Sequence, residues 1–300
     1  MKKKLPDFVI IGAQKSATSF LHHCLKEHPE IYLPDSEVPF FEDSDFQKST
    51  VQDLEDLLAP AEPGNVIGIK RPNYLGDVEC AQNIHSIVPE AKLIVILRNP
   101  LDRAMSAYFH QMSNGLLPVR SVPAGIRNLL DGKYSLKYPR SKQIIGYGFY
   151  CTHLKRYLEF FDKGQLLVLY YSEIKSNPQQ AIQEVCRFLK VSDEFLPNAI
   201  TVKPKKRNYS IFSVYLSSIR SKLIYSYNED MTRLHLKKEL SVFYKLFVKI
   251  VKIIDSMIPE RSLGAVNFPP GLKGRLSLIY QEEINCLEKL LDRDFSIWKD

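Results

Sequence analysis

Gly12, Lys15, Ser16, Thr18 and Ser19 lie close together in the stretch VIIGAQKSATSF, where an apolar run gives way to a helical pattern. A turn of this kind suits a phosphate. Backbone N–H groups at a helix start carry partial positive charge, a lysine adds a full one, and hydroxyls complete the shell around an oxyanion. The whole segment, Gly12, Ala13, Gln14, Lys15, Ser16, Ala17, Thr18 and Ser19, is therefore a candidate anion loop. Its spacing differs from the Walker A pattern, which needs glycine at 17 and lysine at 18, where Ala17 and Thr18 stand. An ordinary strand-to-helix connection is the alternative reading.

A second cluster lies in AKLIVILRNPLDRAMSAYFH, at 91–110. A strand ends at Arg98 and opens through Asn99 and Pro100 into a helix, with Pro100 suited to a first helical position. Ser106 follows Arg98 by eight residues, about two turns along, so both can face one anion. Arg98 could instead cap the sheet edge or pair with Asp102. A third strand, NVIGIK, ends in Lys70 and continues into Arg71, Pro72, Asn73 and Tyr74. Lys15, Lys70 and Arg98 thus stand at the carboxyl ends of three predicted parallel strands, where open α/β sheets bind ligands.

The elements that must position these residues follow from periodicity. Strands are expected at 8–12, 65–70, 92–97 and 165–170, and helices at 17–27, 77–88, 100–112, 148–161, 178–190 and 275–291, with Glu37 in a loop. Strands alternating with helices of this length imply a parallel sheet, right-handed crossovers and a three-layer α/β fold. The length of 300 residues admits one or two domains, and the lack of a Gly/Ser/Pro-rich linker or a repeat favours one domain over 1–300. Residues 210–265 read as a helical insertion of unassigned role. Within it, 240–258 is apolar apart from Asp255 and a stripe of Lys245, Lys249, Lys252 and Ser256. A buried or groove-lining helix is one reading, and peripheral membrane contact through 240–258 is the other. Three lysines argue against a transmembrane span.

Taken together, these blocks resemble the 3′-phosphoadenosine 5′-phosphosulfate (PAPS)-dependent sulfotransferases, in the branch holding the heparan sulfate enzymes and many bacterial homologues. GAQKSATS is similar to the family's 5′-phosphosulfate loop, with Ala17 in place of the usual glycine, and LRNPLDRAMSAY is similar to its 3′-phosphate motif. SEVPFF at 36–41 resembles the segment carrying the catalytic carboxylate, KRPNY at 70–74 the lysine motif, and LLDRDFSIW at 290–298 a frequent bacterial C-terminus. The resemblance covers roughly 7–210 and 270–300. It implies a three-layer P-loop-like fold with a central parallel sheet and a helical C-terminal segment. It also implies sulfuryl transfer from PAPS to a hydroxyl or amine of a glycan or small molecule, releasing adenosine 3′,5′-bisphosphate, with no metal required.

On that basis Lys15 meets the leaving oxygen and 5′-phosphate, helped by the Thr18 and Ser19 hydroxyls. Lys70 contacts the sulfuryl group or tunes the base, and Glu37 is the general base. Arg98 and Ser106 take the 3′-phosphate. Lys205, Lys206 and Arg207 resemble a basic loop that closes over it, without that loop's glycine. Alanine at 17 is compatible with the loop if its φ stays negative. Glu37 could otherwise be a solvated carboxylate beside Glu42 and Asp43, and His28, His85 and His110 read as structural. Residues 113–147, read as a loop, and the segment after 210 are expected to shape the acceptor cleft.

A net charge of +7 fits anionic ligands, and no zinc-finger spacing or RNP-like aromatic run supports nucleic acid as a partner. Cys24, Cys80, Cys151, Cys186 and Cys286 are scattered and odd in number, so they are expected as unpaired core residues. MKKKLPDF leads into the first strand without an apolar signal segment, so a cytoplasmic protein is expected. Two rival functions share the fold logic: a P-loop-type nucleotide-dependent kinase, and a non-catalytic nucleotide- or glycan-binding protein. The kinase would need Lys-[ST] at the helix start and an Mg²⁺-holding aspartate after a strand, and neither is found.

Overall fold

The computed structural model describes residues 4–42, 46–201, 209–227, 234–237, 242–259 and 270–299. The chain forms two compact units, one of Met1–Asn99, Phe149–Pro204 and Glu283–Phe295, the other of Pro100–Gly148, Lys205–Glu282 and Ser296–Asp300.

The first unit is built on a parallel sheet of β1 (Phe8–Gly12), β2 (Ile31–Tyr32), β3 (Val66–Lys70), β4 (Lys92–Leu97) and β5 (Leu166–Tyr170), in the order β2-β3-β1-β4-β5. β1 is central and buried on both faces, which is why FVIIG is apolar throughout instead of alternating. The chain passes from β3 on one side of β1 to β4 on the other, so the topological switch lies at the carboxyl end of β1. Phe8, Ile10, Ile94 and Ile96 point from one face into a core with Leu21 and Leu25 of helix Thr18–Lys26 and with Ile182 and Val185 of helix Pro178–Leu189. Pro178 opens the latter helix, and Asn177 caps it by accepting from the Gln180 N–H at 3.2 Å. Helix Val51–Leu58 starts with a reciprocal capping box between Thr50 and Asp53. That helix and the two-residue β2 are additions to the elements expected from sequence. The strands at 8–12, 65–70, 92–97 and 165–170 form as expected, to within a residue.

Helix Tyr150–Leu158 and the C-terminal helix Pro270–Leu291, whose residues from Glu283 belong to this unit, are joined by a disulfide between Cys151 and Cys286. This corrects the expectation of unpaired cysteines: a separation of 135 residues leaves no local spacing signal. Cys24, Cys80 and Cys186 are free and buried, as expected. Burial raises the Cys24 thiol to about 12 and the Cys186 thiol to about 11, which keeps both protonated and inert.

The second unit is mainly helical among its described residues. Helix Pro100–Ser113 packs with Ile211–Ile224, and the stretch 113–147, expected as a loop, contains helices Val122–Leu130 and Lys142–Gly146. Gly125 is required where helix Val122–Leu130 crosses Tyr108: a Cβ there would sit 1.7 Å from the tyrosine oxygen. The described residues of 210–265 form two helices, Ile211–Ile224 and Val242–Ser256, and an antiparallel pair, Tyr225–Tyr227 with Leu234–Leu236.

Candidate active site

β1, β3 and β4 run parallel, so Gly12, Lys70 and the residue after Leu97, Arg98, emerge at one edge of the sheet. Gly12 ends β1 against the turn that follows β3, where a Cβ would lie 2.8 Å from the Leu75 Cβ and 3.1 Å from the Pro72 carbonyl oxygen. No side chain fits there, and the loop is pressed onto the turn. Gln14 ties the two together, donating from Nε2 to Asn73 Oδ1 at 3.0 Å.

Beyond Gly12 the loop winds tightly. Lys15 and Ala17 both have φ of 70°, in the left-handed region. The condition of a negative φ at Ala17 is therefore not met: the loop keeps the glycine-like geometry, and alanine adopts it at a cost of about 1–2 kcal/mol. Ala17 is the N-cap of helix Thr18–Lys26 and supplies no side-chain cap. Ser16 is fully buried and its hydroxyl has no hydrogen-bond partner. A buried donor at an uncapped helix N-terminus is what a phosphate oxygen would satisfy. Thr18 is buried beside it and Ser19 is exposed. Arg98 reaches this loop, donating from Nη1 to the Lys15 carbonyl at 3.2 Å, and its guanidinium lies over the Tyr171 ring at 4.5 Å. The Tyr150 hydroxyl donates to the Arg98 carbonyl at 2.9 Å, which fixes the backbone there.

The second half of the site is the segment carrying Glu37. It hangs on the end of β3 through the Val38 N–H, which donates to the Lys70 carbonyl at 3.1 Å. The buried Tyr74 hydroxyl clamps it, donating to the Val38 carbonyl and accepting from the Phe41 N–H at 3.1 Å. The Glu37 carboxylate then meets two cations, Lys70 Nζ at 3.5 Å and Arg71 Nη1 at 3.0 Å. Lys70 is buried, while Glu37 keeps 38% of its side chain exposed, so the carboxylate is held and still reachable. Arg71 spends its other face on Glu42, donating from Nε at 2.7 Å and Nη2 at 2.8 Å. Burial opposes the Arg71 charge, but the Glu42 hydrogen bonds together with the negative charges of Glu42 and Glu37 outweigh it and raise its pKa above the ordinary arginine range. Arg71 and Glu42 are positioning residues that sequence reasoning passed over. The RP step after Lys70 was visible, but its partner lies 29 residues away.

His22, on helix Thr18–Lys26, is a further resident of this region. Burial, chiefly, lowers its pKa to about 4, so it is neutral and donates from Nε2 to the Pro34 carbonyl at 2.8 Å. The three histidines read as structural have these partners: His28 with Ser192 and Glu30, His85 against Phe160 and Phe161, and His110 with Asn114. Ser106 is buried on helix Pro100–Ser113, which belongs to the second unit, whereas Arg98 belongs to the first. Lys205, Lys206, Arg207 and Asp43 lie outside the described residues. Among the described residues, no cluster of His, Cys, Asp and Glu is grouped to hold a metal.

The site so built presents an anion loop, three basic residues from three adjacent strands and a held carboxylate. Comparison with known proteins gives the family. Residues 5–245 match the family model described as a sulfotransferase domain. The chain is similar to the mouse bifunctional heparan sulfate N-deacetylase/N-sulfotransferase 4, 31% identical over 218 residues, covering 67% of this chain and 24% of that protein. It is also similar to the human bifunctional heparan sulfate N-deacetylase/N-sulfotransferase 3, 30% identical over 204 residues, covering 63% and 22%. The chain spans about a quarter of the length of these curated relatives. A solved sulfotransferase from Alicyclobacillus acidocaldarius shares the fold, with a TM-score of 0.70 and 22% identity over 99% of both chains. With a family model matched over most of its length, the chain belongs to the sulfotransferases.

Proposed function

We propose that this sulfotransferase takes its sulfuryl group from PAPS and delivers it to a hydroxyl or amine of a glycan or small molecule. The observation that carries the reading is the convergence of Lys15, Lys70 and Arg98 at one sheet edge with Glu37 held against Lys70. In-line transfer forms a bond from the acceptor oxygen or nitrogen to sulfur and breaks the bond from sulfur to the bridging oxygen. The electron pair stays on the 5′-phosphate and the acceptor loses a proton. In this reading Lys15, the loop N–H groups and the Ser16 hydroxyl meet the departing phosphate oxyanion, where fixed donors lower the barrier most. Glu37 receives the acceptor proton. Lys70 shares its charge between the sulfuryl oxygens and Glu37, so its ion pair with Glu37 orients the base. Arg98 takes the 3′-phosphate, which distinguishes PAPS from ATP. The named relatives are heparan sulfate N-sulfotransferases, which makes a glycan with free amines the first acceptor to test.

The test is a transfer assay with labelled PAPS against acceptor pools, run beside calorimetric titration with adenosine 3′,5′-bisphosphate and with ATP. Label in an acceptor and tighter binding of the bisphosphate support the reading. Tight ATP binding with phosphate transfer would favour a kinase, and bisphosphate binding without transfer to any pool would favour a binding protein.

A further inference from the structure

Helix Val242–Ser256, in the second unit, carries a face that the fold leaves uncovered. Wound at about 100° per residue, it turns Val251 inward, 4% exposed, and Asp255 beside it, whose carboxylate accepts from the Ser213 hydroxyl of helix Ile211–Ile224. Leu246, Ile250, Ile253, Ile254 and Met257 occupy an outer arc of about 100° and are exposed, Ile253 by 60% and Met257 by 78%. Lys249 is exposed on the flank of that arc, and in sequence Lys245 and Lys252 stand four residues before it and three after, on the same stripe. Asp255 is the helix's sole acidic residue and is bonded inward, so the outer surface sets the apolar arc beside the Lys249 cation. The adjoining helix adds Phe212 and Tyr215, both more than half exposed.

An apolar patch of this size costs solubility unless something covers it. We propose that it docks on an anionic lipid bilayer, the arc entering the headgroup boundary and the lysine stripe meeting the anionic headgroups. Charge complementarity selects that occupant. A second copy would set lysine stripe against lysine stripe, and a soluble polyanion would engage the lysines but leave the apolar arc in water. The helix lies along the surface, since no described helix is long and apolar enough to cross a membrane.

The test is co-sedimentation of the full chain with phosphatidylcholine vesicles, with and without phosphatidylglycerol, across a salt series. Expected is binding to the anionic vesicles that weakens with salt, and weak binding to neutral ones. The double variant Ile250→Glu with Ile253→Glu should lose at least about tenfold in partitioning, since two apolar contacts are replaced by charges that repel the headgroups. Lys249→Glu should lose the preference for anionic vesicles. Both change exposed side chains, so circular dichroism and transfer to a soluble acceptor should be unchanged. No wild-type binding to either vesicle, or equal binding by the double variant, would overturn the proposal. A dimer in light scattering that the double variant dissolves would also overturn it, by assigning the face to a second copy.

Discussion

Arg71 shows how one residue organises the segment that carries Glu37. Its guanidinium is divided between Glu42, which is 8% exposed, and Glu37. Removing it leaves the buried Glu42 carboxylate without its partner, and breaking a buried pair from one side costs about 3–5 kcal/mol. Arg71→Met should therefore lower the urea midpoint by that equivalent. Arg71→Lys should recover only part, because an ammonium cannot make the two-pronged contact. A loss below about 1 kcal/mol in Arg71→Met would show that Glu42 has other support. Arg98 is tested by ligand discrimination. Arg98→Ala should weaken adenosine 3′,5′-bisphosphate by about 2–4 kcal/mol, the loss of a charge-assisted contact, while adenosine 5′-phosphate changes little. Equal losses in calorimetry would remove the 3′-phosphate assignment.

Helix Thr18–Lys26 carries two measurable features, backbone strain at its start and a buried neutral histidine. Ala17 sits at φ 70° at the start of helix Thr18–Lys26, and glycine accepts that conformation without a Cβ clash. Ala17→Gly should stabilise the protein by up to about 1 kcal/mol, the relieved strain exceeding glycine's extra unfolded-state entropy. Were the residue at negative φ, the same change would destabilise, so the sign of the thermal shift decides the matter. In the same helix, His22 is held neutral with its pKa lowered from 6.5 to about 4, first by burial. The unfolded chain binds the proton below 6.5 while the folded one does not, so this contribution is complete above 6.5 and is lost as pH falls from 6.5 to 4. The urea midpoint should fall between pH 7.5 and pH 5 by more in the wild type than in His22→Gln. An identical fall in both would place the acid sensitivity elsewhere.

Across the whole molecule, what was legible in the sequence was what is local. The loop after β1, the arginine after β4 and the lysine ending β3 each sit within a few residues of an apolar strand, and parallel order brings them to one edge. What was hidden depends on distant or conformational facts: the Arg71–Glu42 pair, the Cys151–Cys286 bridge and the left-handed turn at Ala17 leave no periodic trace. Helices Val51–Leu58 and Val122–Leu130 were missed because each is short, eight and nine residues, and flanked by turn-forming segments. Sulfuryl transfer with Glu37 as the base is tested most directly by the turnover and donor affinity of two variants measured side by side. Glu37→Gln keeps shape and hydrogen bonding but cannot accept the proton, so kcat should fall by about 10²–10⁴-fold with donor binding nearly unchanged, while Lys15→Ala should lose both. Turnover of PAPS by Glu37→Gln at the wild-type rate would contradict the assignment of the base.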